Sequence, residues 1–375
     1  MQRSSASRIL VTHVGSLPRP EGGFGDGEAG LRGAVGTVVA EQRAAGIDIV
    51  NEGEFTKGGD WLAYMDDRLS GFEARPPAGG VPVIWQGRDR EAFAAFYKYA
   101  AERGELFRAP GDPVPVQRPH WVATGPIGYT GGEHLAREIA ILRAAVGEGS
   151  EAFLTSTAPS SLEPYRRNEF YKTQEDFVFA LAEAMRDEYR AIIDAGFLLQ
   201  VDDAWLPAMW DRIGIGMGLD GFRRWCAVRI EALNHALRDL PEDRIRYHLC
   251  WGSWHGPHAF DIELREIVDL MLKVRAGAYL IEAGNARHEH EYVVWDDVKL
   301  PEGKILVPGL VSHATNGVEH PELVAQRLRR FIRRLGAENV MAGTDCGFGG
   351  RTHPQIAWAK LRALAEGARL AVKQG

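Results

Sequence analysis

Residues 173–203, TQEDFVFALAEAMRDEYRAIIDAGFLLQVDD, contain one complete unit from which the architecture can be inferred. Thr173, followed three residues later by Asp176, has the pattern of a capped helix N-terminus. An amphipathic pattern then runs to Gly196, where the helix is predicted to end. The run that follows, FLLQVDD, is predicted to be a buried strand. A helix leading directly into a buried strand is typical of a parallel sheet covered by helices.

The same alternation of strand and helix continues along the chain. Further helices are predicted at 28–46, which ends at Gly46, and at 321–335, which begins with Pro321 and stops at Gly336. The strand candidates are short apolar runs at 9–16, 47–55, 120–126, 152–159, 197–203, 246–252, 278–284, 304–311 and 339–347. This alternation predicts an α/β fold built on a parallel sheet.

A (β/α)8 TIM barrel is the favoured architecture, with 1–375 as a single domain. Such a barrel needs eight strands, so one candidate is surplus, and we predict that it is 152–159. The Pro- and Gly-rich segment 72–118 is predicted to be an insertion after the second strand. A doubly wound open sheet is less favoured, because no G-x-G-x-x-G motif follows the first strand.

Composition excludes several classes of function. A net charge of −7 argues against a general nucleic-acid-binding protein, whose phosphate contacts need clustered Lys and Arg. No apolar run approaches the roughly 20 residues that cross a bilayer, and no secretory signal is evident. Three cysteines, Cys226, Cys250 and Cys346, are too few and too odd in number for a disulfide framework. A reducing cytoplasm is therefore expected.

Polar and ionisable side chains recur where the predicted strands end. In a β/α barrel these ends converge on one mouth, where active sites are found. The side chains in question are Ser16, Glu54, Asp202, His248, Cys250, Glu282 and Cys346. We expect the fold to bring them within reach of one another.

Three short motifs in this set can each be explained either by packing in the core or by a functional site. In YHLCWG (247–252), His248 and Cys250 are two residues apart and would share one side of a strand, but they could equally be core residues. Glu282 follows an apolar strand and needs a partner, which could be a metal or simply Arg287. Cys346, in a Gly-rich turn, could be a small buried thiol. Taken singly, none of the three indicates a metal.

Taken together, one His, two Cys and one Glu form a sensible ligand set for zinc. Two thiolates and one carboxylate would leave such a site with a net charge of about −1, and hence a weak Lewis acid. It would be poor at making hydroxide but suited to binding an incoming thiol as a nucleophilic thiolate. The predicted chemistry is alkyl transfer to a small-molecule thiol from a methyl or alkyl donor.

Seven motifs extend this interpretation to nearly the whole chain. They are V-G-S-L-P-R-P at 14–20, G-E-F at 53–55, T-G-P at 124–126, Q-V-D-D at 200–203, H-L-C at 248–250, I-E at 281–282 and D-C-G at 345–347. In order and content they resemble the C-terminal catalytic barrel of the cobalamin-independent methionine synthases.

The resemblance implies roles for particular residues. It implies that His248, Cys250, Glu282 and Cys346 bind catalytic zinc, and that Ser16 and Glu54 hold the amino-acid substrate or the folate. Asp202 would take the substrate's ammonium group, and His313, in VSHATNGVEH, would be the proton donor. The family's pterin-stacking tryptophan has no counterpart after T-G-P, where Tyr129 is the aromatic residue. The methyl donor and the thiol acceptor are therefore left open.

Three alternative functions remain open at this point. The epoxyalkane:coenzyme M transferases are relatives of the same kind and use zinc and a thiolate to open an epoxide. A decarboxylase on a related barrel would need neither His248 nor the two cysteines, and a non-catalytic metal-binding protein would never admit a thiol.

Other residues are assigned packing or surface roles, or left undecided. His288 and His290 could bind a metal, but their charged neighbours make a solvated or mouth-lining loop equally consistent with the sequence. His13 could reach the barrel mouth or could pack in the core. Cys226 is expected in the core; Trp205 and Trp251 are expected to pack, although either could shape a substrate pocket. The basic segment RLRRFIRRLG (327–336) is expected to be solvated or to contact another copy in a homo-oligomer.

Overall fold

The computed structural model describes residues 1–25, 27–58, 62–76, 83–106, 120–147 and 149–372. Within these residues the strands are β1 Leu69–Arg75, β2 His120–Tyr129, β3 Phe153–Thr157, β4 Arg166–Asn168, β5 Leu198–Asp203, β6 Ile245–Leu249, β7 Ala278–Ile281, β8 Ile305–Val311 and β9 Gly343–Thr344. The α-helices are α1 Gly27–Ala44, α2 Arg88–Ala92, α3 Ala94–Arg103, α4 Gly132–Val146, α5 Pro159–Leu162, α6 Gln174–Asp194, α7 Ile215–Ala236, α8 Val268–Met271, α9 Val294–Asp297, α10 Pro321–Leu335 and α11 Pro354–Ala371.

Shorter turns of helix join these elements. The 3-10 segments are Phe55–Lys57, Ala63–Asp67, Val83–Trp85, Glu163–Tyr165, Glu242–Arg244, Leu264–Glu266, Glu289–Val293 and Ala337–Asn339, and one π-helical turn spans Trp210–Gly214. No helix in the described part of the chain is both long and apolar enough to span a membrane.

The central feature is a curled parallel sheet of six strands in the order β3-β5-β6-β7-β8-β9. Strands β3, β6, β7 and β8 are buried along their whole length, as expected when helices cover a parallel sheet. The helix that precedes β5 is formed as predicted, since the Thr173 hydroxyl accepts a hydrogen bond from the Asp176 N–H at 3.0 Å. The α/β class with parallel strands is confirmed.

Two predicted strands near the N-terminus appear as single pairings. Isolated parallel bridges join Val11 to Ala342, Thr12 to Ile49, and Val50 to Ala152. They link segments 9–16 and 47–55 to each other and to the two edges of the six-stranded sheet. A hydrophobic cluster separate from the main core lies among these elements and contains Leu10, Val14, Ile49, Phe153, Leu198, Ala278, Leu280, Ile305, Val307 and Met341.

The prediction that 152–159 is the surplus strand is wrong. Residues Phe153–Thr157 form β3, an edge of the main sheet, and all of them are buried. The element outside the sheet is β2, from the 120–126 candidate, which pairs antiparallel with β1 and parallel with β4 in a separate three-stranded sheet. Strand β2 is mostly half-buried, whereas a strand in a helix-covered parallel sheet is buried on both faces.

The predicted insertion 72–118 lies partly outside the described residues. Of its described parts, 72–75 continue β1, and 83–106 contain α2 and α3. These helices contact the loop after β6, where the Trp254 indole N–H donates to the Tyr97 hydroxyl at 3.0 Å. The segment therefore reaches the carboxyl end of the main sheet.

Several arginines of the basic segment 327–336 form ion pairs and hydrogen bonds within this chain, so the segment is not fully solvated. Arg327 and Arg330 pair with Glu289, at 2.6 and 3.3 Å. Arg334 pairs with Asp296 at 2.7 Å, and Arg329 donates to the Leu370 carbonyl at 2.8 Å. Together these contacts bind α10 to α9, α11 and the loop before α9.

Candidate metal centre

Three of the predicted ligands meet at the carboxyl end of the main sheet. The candidate ligand atoms of His248, Cys250 and Cys346 all lie within 4.8 Å of one another. His248 lies in β6 and Cys250 directly follows it, whereas Cys346 comes two residues after β9. The two sulfurs are 3.8 Å apart although 96 residues separate them in sequence. The fold thus brings together residues that sequence alone could only suggest as partners.

His248 is oriented by Asp202 on the adjacent strand. The two residues are register partners in the β5–β6 pairing, and the His248 Nδ1 lies 2.9 Å from the Asp202 Oδ1. The other ring nitrogen, Nε2, is buried and has no hydrogen-bond partner among the described residues. Burial acts to lower the pKa of His248, but the hydrogen bond to Asp202 and the surrounding negative charges raise it. A carboxylate behind a histidine with a free inner nitrogen is the usual support of a metal-binding imidazole.

The two thiols of the site differ in acidity. The hydrogen bond from the Cys250 thiol, with the nearby positive charge of His248, lowers the pKa of Cys346 to about 7. The same contact with Cys346, together with burial, raises the pKa of Cys250 well above its ordinary value. The Gly252 N–H donates to the Cys250 sulfur at 3.3 Å. Thiolate character therefore develops first at Cys346.

Glu282 lies beside this cluster and already has partners. Its Oε1 is 3.8 Å from the Cys250 sulfur and accepts the Trp251 N–H at 3.1 Å. Its Oε2 accepts from the Arg287 guanidinium at 2.5 Å and from the Asn285 amide at 2.8 Å. Burial alone would raise the pKa of Glu282, but the charges of Arg287 and nearby histidines lower it. The carboxylate is ionised and in reach of Cys250, and its role as a fourth ligand stays a prediction.

The donor set fits zinc. Two thiols, an imidazole with a free buried nitrogen and a carboxylate at hydrogen-bonding range are the ligand types of mixed Cys/His/carboxylate zinc sites. Hard cations such as Mg²⁺ and Ca²⁺ prefer sites made of oxygen alone. His248, Cys250 and Cys346 would hold the metal, and Glu282 as an exchangeable fourth ligand stays a prediction.

Asp345 is a supporting residue to which sequence reasoning gave no role. Its Oδ1 accepts the backbone N–H groups of Ala283 and Gly284 at 2.9 and 2.8 Å, and its Oδ2 accepts from Asn285. These bonds tie the turn that carries Cys346 to the end of β7, which carries Glu282. The signal was available, since Asp345 precedes Cys346 in the D-C-G motif.

Ser16 and Glu54 lie at the ends of the first two predicted strands, 9–16 and 47–55. Glu54 has a left-handed backbone, with φ of 61°, a conformation that costs energy for a residue other than glycine and often marks a functional site. Its Oε1 accepts the Thr155 hydroxyl at 3.1 Å, and burial together with the charge of Asp202 raises its pKa to about 8. The Ser16 carbonyl accepts the Phe348 N–H at 2.8 Å, so this turn contacts the segment after Cys346. Their substrate-binding roles stay predictions.

His313 is buried with both ring nitrogens unpartnered among the described residues. Burial lowers the pKa of His313 to about 3, an effect that the charge of Glu282 only partly offsets. The imidazole is therefore neutral near pH 7. A neutral imidazole can still polarise a reacting oxygen or nitrogen through its N–H. Its assignment as proton donor stays a prediction.

Several other singled-out residues have structural roles. His288 is buried between Asp261 and Glu291, and these partners raise its pKa to about 9, so it is neither solvated nor a ligand of the cluster. His290 is exposed, and His13 is buried against Gln42 at 2.7 Å. The expectation of a core thiol at Cys226 is confirmed.

The aromatic residues divide between core, network and pocket. Trp251 is fully buried and donates to the Ile262 carbonyl at 2.8 Å, whereas Trp205 lines a cavity beside the metal centre. The Tyr129 hydroxyl donates to Glu188 at 2.7 Å, within a buried charge network that includes Arg68. Tyr129 is therefore held by this network.

The chain is similar in sequence to proteins named methionine synthase and to a 2-hydroxypropyl-CoM lyase. The chain is 24% identical over 356 residues to a methionine synthase of Sulfolobus acidocaldarius, covering 90% of this chain and 85% of the relative. It is 23% identical over 337 residues to a 2-hydroxypropyl-CoM lyase of Xanthobacter autotrophicus, covering 82% and 85%. The resemblance to the cobalamin-independent methionine synthases is confirmed. No family model matches the chain.

Solved structures of methionine-synthase-like proteins share the fold. A B12-independent methionine synthase from Shewanella, in complex with selenomethionine, superposes with a TM-score of 0.73 at 19% identity and covers 98% of both chains. A vitamin-B12-independent methionine synthase homologue from Listeria monocytogenes gives a TM-score of 0.66 at 20% identity, again covering 98% of both. At these identities the likeness concerns the fold.

Proposed function

We propose that this protein is a zinc-dependent S-methyltransferase that transfers a methyl group to a small thiol such as homocysteine, in methionine formation. The observation that carries the proposal is the cluster of His248, Cys250 and Cys346, within 4.8 Å at the carboxyl end of a parallel sheet. The relatives named methionine synthase support the same reaction class.

Zinc, when bound, would lower the pKa of an incoming thiol so that it reacts as a thiolate at neutral pH. The residues of the chain have separate tasks around it. Asp202 holds His248 with its inner nitrogen directed away from the strand partner, and Arg287 holds Glu282 next to Cys250. Asp345 keeps the Cys346 turn attached to the end of β7.

His313 is proposed to face the leaving group of the methyl donor. Its ring nitrogens are buried and have no acceptor or donor among the described residues. Because the imidazole is neutral at pH 7, it would act by donating its N–H to the negative charge that develops on the leaving atom. Ser16 and Glu54, in neighbouring turns, are proposed to hold the substrate's polar groups.

A second S-alkyltransferase function is kept because of one relative. The 2-hydroxypropyl-CoM lyase matches over 82% of this chain, at an identity within one percentage point of that of the archaeal methionine synthase. An alkyl transfer involving a thiol other than homocysteine would use the same cluster. Activity assays with homocysteine and with 2-mercaptoethanesulfonate as acceptors would separate the two. A decarboxylase would require neither zinc nor a thiol.

Zinc content and thiol binding test the proposal directly. We expect about one zinc per chain by atomic spectroscopy, and a change in the absorption spectrum of the cobalt-substituted protein when homocysteine is added. Cys346→Ala should lose the metal, whereas Cys226→Ala, a matched control at a buried position of α7, should retain it. Metal-free wild-type protein, or full metal occupancy in Cys346→Ala, would contradict the proposal.

We also infer that the parallel sheet is completed to a closed (β/α)8 barrel within a single domain. Support comes from the bridges at Val11, Thr12 and Val50, which would join eight parallel segments into a ring. The buried Arg246 of β6 reaches the Thr12 hydroxyl and the His13 carbonyl and lies over the Phe153 ring, as a residue in a barrel interior would. We likewise propose that the protein is cytoplasmic, because metal binding by the cluster needs Cys250 and Cys346 to be reduced.

A further inference from the structure

A cavity that is partly open to solvent adjoins the candidate metal centre. Gly252 and Ser253, from the loop after Cys250, form one wall. Since the Gly252 N–H donates to the Cys250 sulfur at 3.3 Å, this wall is one hydrogen bond away from a candidate ligand. A molecule in the cavity would therefore lie close to a thiol held at the metal.

The lining of the cavity is cationic. Three arginines line it, Arg90, Arg212 and Arg351, and the lining described by the structure contains no carboxylate. Arg351 donates to the Ser253 hydroxyl at 3.1 Å and so joins the loops after β6 and β9. Because arginine remains protonated in proteins, these side chains present positive charge to the cavity, and that of Arg212 is paired with a neighbouring carboxylate, Asp211.

Two of these arginines keep donors without acceptors. Arg212 has a side chain that is 3% exposed, and its NH1 is used by Asp211 at 3.0 Å and by the Ala208 carbonyl at 3.1 Å. Its Nε is buried without a partner, and the same is true of the Nε of Arg90. Burial lowers the pKa of both guanidinium groups, and for Arg90 the charge of Arg212 adds to this effect.

Arg90 makes no hydrogen bond or ion pair with the described residues. Its guanidinium lies over the rings of Trp85 and Tyr97, with 4.9 and 4.3 Å to the centroids. These rings stabilise the cation but offer it no acceptor. An anionic ligand would supply what both arginines lack, since buried donors without acceptors are costly.

Aromatic side chains form the rest of the recognition surface. Trp205 is 9% exposed, lines the cavity, and its indole N–H is buried without an acceptor. Trp254 and Tyr165 also line the cavity, and the Arg212 guanidinium lies 4.4 Å from the Trp254 ring centroid. Indole faces favour flat apolar groups, whereas the indole N–H favours an acceptor.

We propose that this cavity is the binding site for an organic anion, a carboxylate, sulfonate or phosphate on a flat apolar body, that takes part in the alkyl transfer. The part of this statement that concerns the reaction rests on the proposed function. Arg90 and Arg212 bind the anionic group together with the Trp205 N–H, and the flat body packs on Trp205 and Trp254. Arg90 belongs to α2, so the segment after the second predicted strand contributes directly to substrate choice.

Calorimetric titration of the zinc-loaded protein tests this site with three probes that differ in one feature each. Naphthalene-2-sulfonate carries both the anion and the flat body, 2-naphthalenemethanol lacks the charge, and sulfate lacks the rings. We expect the aromatic anion to bind at least about tenfold more tightly than either of the others, which corresponds to about 1.4 kcal/mol. Equal affinity for the neutral alcohol, or for sulfate alone, would overturn the proposal.

Variants assign the binding to the arginines. Arg90→Gln and Arg212→Gln should each weaken naphthalene-2-sulfonate binding at least about tenfold and leave the neutral alcohol unchanged. Arg88→Gln is the matched control, because Arg88 is on the same helix with its side chain 61% exposed. If Arg212→Gln fails to fold, Arg90→Gln decides, because Arg90 makes no hydrogen bond whose loss would unfold the chain. Wild-type affinity in Arg90→Gln would refute the assignment.

The same preparations separate this inference from the proposed function. Zinc content and the thiol-induced spectral change report on the metal centre, and the probe titration reports on the cavity. Arg90-dependent binding in a protein that holds no zinc would keep the anion site and end the proposed chemistry. A normal zinc and thiol response without selectivity for the aromatic anion would do the opposite.

Discussion

At the scale of single residues, the candidate metal centre depends on which groups stand behind the ligands. His248 is useful as a ligand because Asp202 occupies its Nδ1 and leaves Nε2 buried without a partner. Cys346 is suited to bind a metal because its neighbours lower the pKa of its thiol and so favour the thiolate. The ligand types could be predicted from H-x-C and D-C-G, but not these pairings, which depend on strand register.

Replacing Asp202 tests the support of His248. Asp202→Ala should weaken zinc affinity about 10- to 100-fold, because an imidazole without its carboxylate is a less basic and less oriented ligand. Competition with a chromophoric chelator measures this. Asp203→Asn is the control, since Asp203 bonds Ser161 and Tyr247 instead and should affect folding stability but not zinc affinity. Unchanged zinc affinity in Asp202→Ala would show that Asp202 does not support His248, and its predicted contact with the substrate's ammonium group would stay a separate prediction.

The raised pKa of Glu54 predicts that the stability of the folded protein depends on pH. Its pKa of about 8 in the folded protein lies above the ordinary value of 4.5, so the folded state binds the proton more tightly than the unfolded state. The stability that it contributes is fully present below about pH 4.5 and is lost as the pH rises through about 8. Glu54→Gln should therefore lose less stability than wild type between pH 6 and about 9, measured by thermal unfolding, since glutamine cannot ionise. The exposed Glu41→Gln should follow wild type, and parallel curves for all three would refute the assignment.

At the scale of secondary-structure elements, local signals predicted helices better than strand partners. Helix α6 begins after Thr173 and α10 spans Pro321–Leu335, as caps and proline position indicate. Strand β2 was wrongly included in the main sheet in place of β3, because both are short β-rich runs. Their difference, half-buried against fully buried, is a property of tertiary packing.

The cap of α6 gives a prediction at this scale. Thr173→Ala should lower the free energy of unfolding by about 1 kcal/mol, because the Asp176 N–H loses its acceptor. Urea unfolding followed by circular dichroism would detect the shift. Thr37→Ala, an exposed mid-helix threonine of α1, is the control and should be neutral or slightly stabilising. Equal midpoints for Thr173→Ala and wild type would show that the cap contributes nothing.

At the scale of the whole molecule, the candidate metal centre brings together residues from distant parts of the chain. Cys250 and Cys346 follow β6 and β9, and Glu282 follows β7. An ion bound by all three side chains would cross-link the ends of three strands of one sheet. A metal that binds the folded state alone stabilises it by mass action. The fold and the site are therefore expected to share a single unfolding transition.

Removal of the metal tests this coupling. With free zinc at 100 times its dissociation constant, the bound ion should add about 2.7 kcal/mol to the free energy of unfolding, and a strong chelator should remove it. Differential scanning calorimetry with and without chelator measures the change. Cys346→Ala should show no chelator effect, and Cys226→Ala should respond like wild type. An unaltered transition temperature of the wild-type protein after chelation would argue against a bound metal ion that stabilises the fold.

The sequence alone was sufficient to predict the α/β class, the family resemblance and the chemical types of the candidate ligands, because these follow from local periodicity and short motifs. Tertiary structure was required for the rest. It distinguished β2 from β3 by burial, placed His288 in ion pairs, and brought Arg90, Arg212 and Trp205 together around one cavity. The physical reason is that burial, strand register and unpartnered donors arise from contacts between residues far apart in the chain, which no local pattern records.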